Sequence, residues 1–149
     1  MNQSIRFSLA TLLLRILVGG VFLAEGIQKF LFSDELGVGR FEKIGIPMPA
    51  FSAPFVGVVE ILFGAFLIVG LYTTVAAIPL LINILTAIAT TKIPMLIHNG
   101  FWKMVHEART DFSMVVGLIV ILLIGGGEWS LDAMRRRRVG SMPSGRENS

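Results

Sequence analysis

Four runs of mostly apolar residues, at about 8–31, 51–71, 74–91 and 112–129, are separated by shorter stretches that hold most of the charge. Each approaches the ~20 residues a helix needs to cross the hydrocarbon core of a bilayer, and the last two are the shortest. The pattern predicts an all-α, integral membrane four-helix bundle. A cleavable signal is the rival reading of the first run. However, Arg15 interrupts its apolar centre, the run is too long, and a clean A-x-A site is missing, so the first helix is expected to stay. Composition points the same way: 54% of the residues are hydrophobic, 15% are charged and mean hydropathy is +0.76. A soluble domain of this size could not expose such a surface to water.

Four spans put both termini on one side. That side holds Arg6 and the run Arg135 to Arg138, while Arg40, Lys43, Lys92, Lys103 and Arg109 lie on the other. The compact arginine run directly after the last span predicts that both termini face the cytoplasm, with the arginines at anionic head groups. The pI near 9.8 then follows from topology and membrane lipid, and no nucleic-acid partner is expected. Residues 1–132 read as the transmembrane domain and 133–149 as a basic, disordered tail.

The chain contains no cysteine. This excludes disulfides, CxxC relays, c-type haem attachment and thiolate metal sites, so any redox chemistry needs a borrowed cofactor. The histidines, His98 and His106, stand eight apart outside the spans and make a poor haem or metal site, so no metal is expected.

The charged residues inside the apolar runs are the candidates for function. An ionised group at the bilayer centre costs a few kcal/mol, so such residues pair, face the bundle interior, or mark a cavity. On a helix Arg15, Gly19, Phe22, Gly26 and Lys29 share one face, with Glu25 about 80° from Arg15. Glu25 and Lys29 stand in the favourable order for an i,i+4 ion pair. Arg15 lies roughly 21 Å further along the axis. Two placements suit it: snorkelling to the head groups, or a role within the bundle. In the second span Glu60 is flanked by Gly57 and Gly64, a groove that a neighbouring backbone can approach closely. Its expected partner is Lys29 or Arg15. The third span presents Pro79, Asn83, Thr86 and Thr90 as a polar stripe that could satisfy Glu60 or line a cavity. Thr110 or Asp111 is expected to cap the fourth.

Two segments between spans carry their own pattern. Residues 33–50 combine acids, bases and glycines with Pro47 and Pro49 ahead of the second span, which suggests a shaped cap. Residues 92–111 place Ile97, Phe101, Met104, Val105 and Ala108 on one helical face beside Trp102, as in a segment lying in the membrane interface between helices 3 and 4.

Several pieces of this sequence resemble the DoxX family of bacterial membrane proteins: Gly26 and Lys29 of the first span, Gly45 and Pro47, Glu60 and Gly64 of the second, and the terminal Trp129, Ser130, Leu131 and Asp132. The resemblance runs from about Arg15 to Asp132. Where family members often have a glutamate at the start of the fourth helix, this chain has Asp111. The family is named after archaeal terminal-oxidase and thiosulfate:quinone oxidoreductase components. Some members are linked to oxidative-stress complexes with superoxide dismutase and a thiosulfate sulfurtransferase.

The resemblance implies a membrane subunit supporting quinone-linked oxidoreduction or oxidative-stress and sulfur redox metabolism. Glu25, Lys29, Glu60 and Asn83 would form the buried polar centre that meets a quinone head group, with Arg15, His98 and Asp111 as secondary candidates. Partners would be a soluble redox enzyme, another membrane subunit, or further copies of the chain. The competing class is a non-catalytic scaffold or assembly factor, which the lack of a built-in redox group favours. A small-molecule transporter or proton path is the weaker third class, because four short spans leave little room for alternating access.

Overall fold

A computed structural model describes residues 2–140, all of whose regular elements are helical. In chain order these are α1 (Gln3–Leu31), α2 (Val38–Lys43), α3 (Pro49–Val69), α4 (Thr73–Ala87), a π-helical turn (Ile88–Lys92), α5 (Ile93–Asn99), α6 (Phe101–Ile124) and α7 (Leu131–Gly140). The long helices α1, α3, α4 and α6 run alternately up and down. Their ends are brought together by Arg15 reaching Leu67 and Gly126, and by Asp132 reaching Thr73.

Among the described residues, three helical segments are long and apolar enough to cross a membrane: Gln3–Leu31, Pro49–Val69, and Thr73–Asn99, in which α4, the π turn and α5 are continuous. Only 33%, 28% and 28% of their apolar windows are buried inside the chain. The remaining apolar surface needs lipid or another chain. The fourth expected span differs from its prediction. One helix runs unbroken from Phe101 to Ile124, and its first half carries Lys103, Glu107, Arg109 and Asp111, so only the stretch from Phe112 onward is free of charge. It completes the bundle by packing against α4 and α1.

The interior is made by all four long helices: Val18 and Phe22, Leu67, Ala76, Ala77, Leu80 and Ile84, and Met114, Leu118 and Ile121. The closest approach is between α1 and α3, where Gly19 faces Gly64 and Gly26 faces Gly57 in antiparallel register. A Cβ on Gly19 would stand 2.6 Å from the Gly64 carbonyl oxygen, and one on Gly26 would stand 2.7 Å from that of Gly57. The obstacle is backbone, which cannot swing aside. Small residues bring two helices together in lipid because dispersion, not water exclusion, holds them. Gly26→Ala is expected to cost about 1–3 kcal/mol by overpacking. Gly20→Ala, one residue beyond Gly19 with open space around it, serves as the control. Thermal unfolding in detergent compares them, and equal midpoints would remove this account of the α1–α3 contact.

Local sequence explains the helix ends. Pro49 is the first residue of α3, where its missing N–H costs nothing, and it follows Met48 in the left-handed region at φ 51°. α3 ends in a Schellman turn: the Gly70 N–H donates to the Leu67 carbonyl, the Leu71 N–H to that of Phe66, and Gly70 sits at φ 72°. The segment 33–50 folds partly into α2, which packs on α3 and buries Phe41. The expected interfacial segment is α5 with the first turns of α6, where Ile97, Phe101 and Trp102 are exposed.

Within the stretch expected to be a disordered tail, residues 133–140 belong to α7, and Ala133 is buried. The helix is started by Ser130, whose Oγ accepts from the Ala133 N–H at 3.1 Å. The rest of that expectation, residues 141–149, lies outside the described residues.

Candidate functional site

Two buried polar centres tie the bundle together at different depths. The first joins α1, α3 and α4. Lys29 Nζ donates to Glu60 Oε2 at 2.6 Å, and Asn83 Nδ2 donates to Glu60 Oε1 at 2.7 Å. The Glu60 side chain is 6% exposed and that of Lys29 11%. Side chains on a helix lean toward its N-terminus. In an antiparallel pair, Lys29 and Glu60 therefore lean toward each other and meet, although they start at different heights. Gly57 and Gly64 leave the groove in which the carboxylate lies. Two carboxylate oxygens, each with a strong donor, satisfy the requirement for burying a charge.

Glu25 stands at the rim of this centre. Its carboxylate is 3.9 Å from Lys29 and its side chain is half exposed. Of the polar stripe on α4, Asn83 alone reaches Glu60. The Thr86 and Thr90 hydroxyls donate instead to carbonyls one turn back, those of Ile82 and Thr86, as hydroxyls within helices commonly do. Asp111 is inside α6 and caps nothing; it pairs with Lys92 at 3.3 Å and so fastens α6 to the π turn. His98 is exposed at the end of α5.

The second centre is built on Arg15, which neither snorkels nor joins Glu60. It is 1% exposed. Its Nε donates to the Leu67 carbonyl at 2.9 Å and Nη2 to that of Ile68 at 2.8 Å, while Nη1 donates to those of Gly126 at 2.7 Å and Trp129 at 2.9 Å. Leu67 and Ile68 are in the last turn of α3, whose end carries orphan carbonyls and the negative end of the helix dipole. One planar guanidinium thus caps α3 and gathers the turn after α6.

Asp132 performs the opposite task at the start of α4. It accepts from the Tyr72 N–H at 2.8 Å, the Thr73 N–H at 2.9 Å and the Thr73 hydroxyl at 2.9 Å. Tyr72 is in the left-handed region at φ 46°, uncommon for a bulky residue, and its ring lies 5.0 Å from the Arg135 guanidinium. Partial burial works to raise the Asp132 carboxyl, but the Thr73 and Tyr72 donors outweigh it and hold the group below the usual aspartate range. Sequence reasoning flagged Asp132 only within the terminal WSLD piece and missed its role, because the helix it caps begins 59 residues earlier.

The sign of the pH effect follows. A carboxyl depressed in the folded state adds stability above its unfolded value, near pH 4, and that stability fades as pH falls through the lower folded value. Asp132→Asn turns one accepting oxygen into an amide donor and is expected to cost about 1 kcal/mol at neutral pH, the scale of one lost hydrogen bond, and to flatten the fall in stability below pH ~4. Unfolding midpoints between neutral and acid pH measure both; a variant that keeps the wild-type acid slope would remove Asp132 as its source.

Comparison with known proteins agrees with this architecture. The DoxX family profile matches residues 10–93, which cover most of α1, all of α3 and α4, and both Lys29 and Glu60, and the chain belongs to the DoxX family. A membrane protein of Mycobacterium tuberculosis, Rv3486, described as uncharacterized, is 53% identical over 131 residues, 84% of this chain and 80% of that protein. A Bacillus subtilis protein named "Putative oxidoreductase CatD" is 28% identical over 132 residues, 89% of this chain and 90% of its own length. No solved structure gives a significant match.

Proposed function

We propose that the chain is a membrane subunit supporting quinone-linked oxidoreduction, with Lys29, Glu60 and Asn83 as the polar centre that meets the quinone head group. The observation that carries this reading is the Lys29–Glu60 ion pair within the spans, held by an amide from a third helix. The residues fit a quinone by their chemistry. A quinone carbonyl needs N–H donors, and a lysine ammonium has three and an asparagine amide two, so each retains hydrogens beyond the one given to Glu60. Lys29 and Asn83 are only partly buried, which leaves them open to a ligand arriving from lipid, and Glu60 can accept and return a proton next to them. A bound quinone would supply the two-electron, two-proton couple that this cysteine-free chain lacks. The name given to the Bacillus subtilis relative supports the same class.

Membership of a bacterial inner membrane with both termini in the cytoplasm belongs to this reading. It is supported by Arg6 and the α7 arginines at the same end of the bundle. A soluble redox enzyme, a second membrane subunit or another copy of the chain would supply the remaining electron path.

A non-catalytic scaffold or assembly factor is the second reading, favoured by one observation: both Glu60 oxygens are already taken by protein donors. Organic extraction and mass spectrometry of gently purified protein separates the two, run beside Glu60→Gln and Lys29→Met. Stoichiometric quinone in the wild type, lost in both variants, is the expected result. No quinone, with variants that lose only thermal stability and a soluble protein retained at fixed stoichiometry, would establish the scaffold instead.

A further inference from the structure

A cavity of about 460 Å³ opens at the end of the bundle where α1 begins, remote from the Lys29–Glu60–Asn83 centre. The first turns of α1, the glycine turn after α6, and α7 form its walls. Ser8 lines it, is 2% exposed, and its Oγ is buried without a hydrogen-bond partner. Buried hydroxyls are almost always satisfied, so an orphan on a cavity wall asks for a polar group from outside the chain. Arg136 and Arg137 line the same cavity. Of the acids there, Asp132 has both oxygens hydrogen-bonded to Tyr72 and Thr73 and lies in the field of Arg136, and Glu128 is exposed. Two guanidiniums and one unpartnered hydroxyl form a donor set for a tetrahedral oxyanion, which takes Arg N–H groups in pairs and a Ser O–H beside them. The remaining wall includes the apolar side chains of Phe7, 53% exposed, and Ile124.

We propose that this cavity is a phosphate-ester site that takes the headgroup phosphate of an anionic phospholipid. Such a site differs from a diffuse basic surface in depending on Ser8, which carries no charge.

The full chain in detergent would be titrated with phosphatidylglycerol, phosphatidylcholine and glycerol 3-phosphate and followed by native mass spectrometry. One phosphatidylglycerol is expected to be retained in preference to phosphatidylcholine. Ser8→Ala should weaken it about tenfold, the scale of one hydrogen bond to a charged group, and the Arg136→Gln, Arg137→Gln double variant should weaken it further. Arg6→Gln, an exposed cation near the same end that does not line the cavity, should leave binding unchanged. Binding that falls with the arginines and with Arg6 alike, but ignores Ser8→Ala, would mean diffuse attraction and overturn the site. Glycerol 3-phosphate displacing the lipid at equal concentration would keep the phosphate chemistry and overturn the lipid assignment.

Discussion

Arg15→Met is expected to destabilise the protein by about 3–5 kcal/mol, the scale for several buried carbonyls that each lose a hydrogen bond to a charged donor worth about 1.5–3 kcal/mol. Methionine keeps much of the volume and all of the apolar character, so the loss reports the guanidinium itself. Four carbonyls on two separate segments lose their donor. The Leu67 oxygen keeps the Gly70 N–H, but Ile68 belongs to the helix end whose carbonyls have no intrahelical partner. Arg15→Lys should recover less than half of the loss, because a single ammonium cannot present the planar fork that reaches α3 and the 126–129 turn together. Reversible unfolding in mixed detergent, followed by far-ultraviolet circular dichroism, measures both. A methionine variant as stable as the wild type would mean that the glycine and aliphatic contacts alone hold this end of the bundle.

The Lys29–Glu60 pair should show the second largest effect, with a coupling signature that Arg15 lacks. Lys29→Met leaves a carboxylate in the groove between Gly57 and Gly64, held only by Asn83, and is expected to cost about 3 kcal/mol or more. Glu60→Met strands the ammonium and should cost a similar amount. The double variant removes both charges and replaces them with apolar side chains, so it should be no less stable than the better single variant, giving a coupling of about 2 kcal/mol or more. Strict additivity in this cycle would mean that the two side chains do not act as a pair in the membrane. If the quinone reading holds, the double variant has a further use. It would be folded and empty, which separates lost binding from lost structure.

Much of the α1–α3 pairing was legible along the chain. Gly19 and Gly26 repeat at a spacing of seven on one helix, and Gly57 and Gly64 do so on the other, with Glu60 between them. A charge beside small residues in an apolar run has few tolerable environments, which makes Lys29 a candidate partner from the sequence alone. Asn83 was also legible, as the polar member of an aliphatic helix, whereas its neighbours Thr86 and Thr90 misled because a threonine can satisfy itself on its own backbone. The fourth span was misjudged at its start. Asp111 resembles a cap because charge gives way to aliphatic residues there, yet a helix continues through such a boundary when nothing stops it, and α6 begins at Phe101, directly after Gly100.

What the sequence by itself determined is therefore the solvent and the local order: helices long enough for a bilayer, their glycine faces, their Pro and Gly ends, and the need to bury a few charges. Those properties depend on residues within a few turns of one another. The tertiary structure alone decided which distant groups complete them. Arg15 caps a helix end more than fifty residues away, Asp132 starts a helix 59 residues before it, and Ser8 is orphaned against a cavity shaped by α7. Arginine can donate to any backbone carbonyl that comes within reach, an aspartate carboxylate can accept from any backbone N–H, and a serine hydroxyl can do either. Their partners were therefore fixed by helix packing, which the residues themselves do not encode in any local pattern.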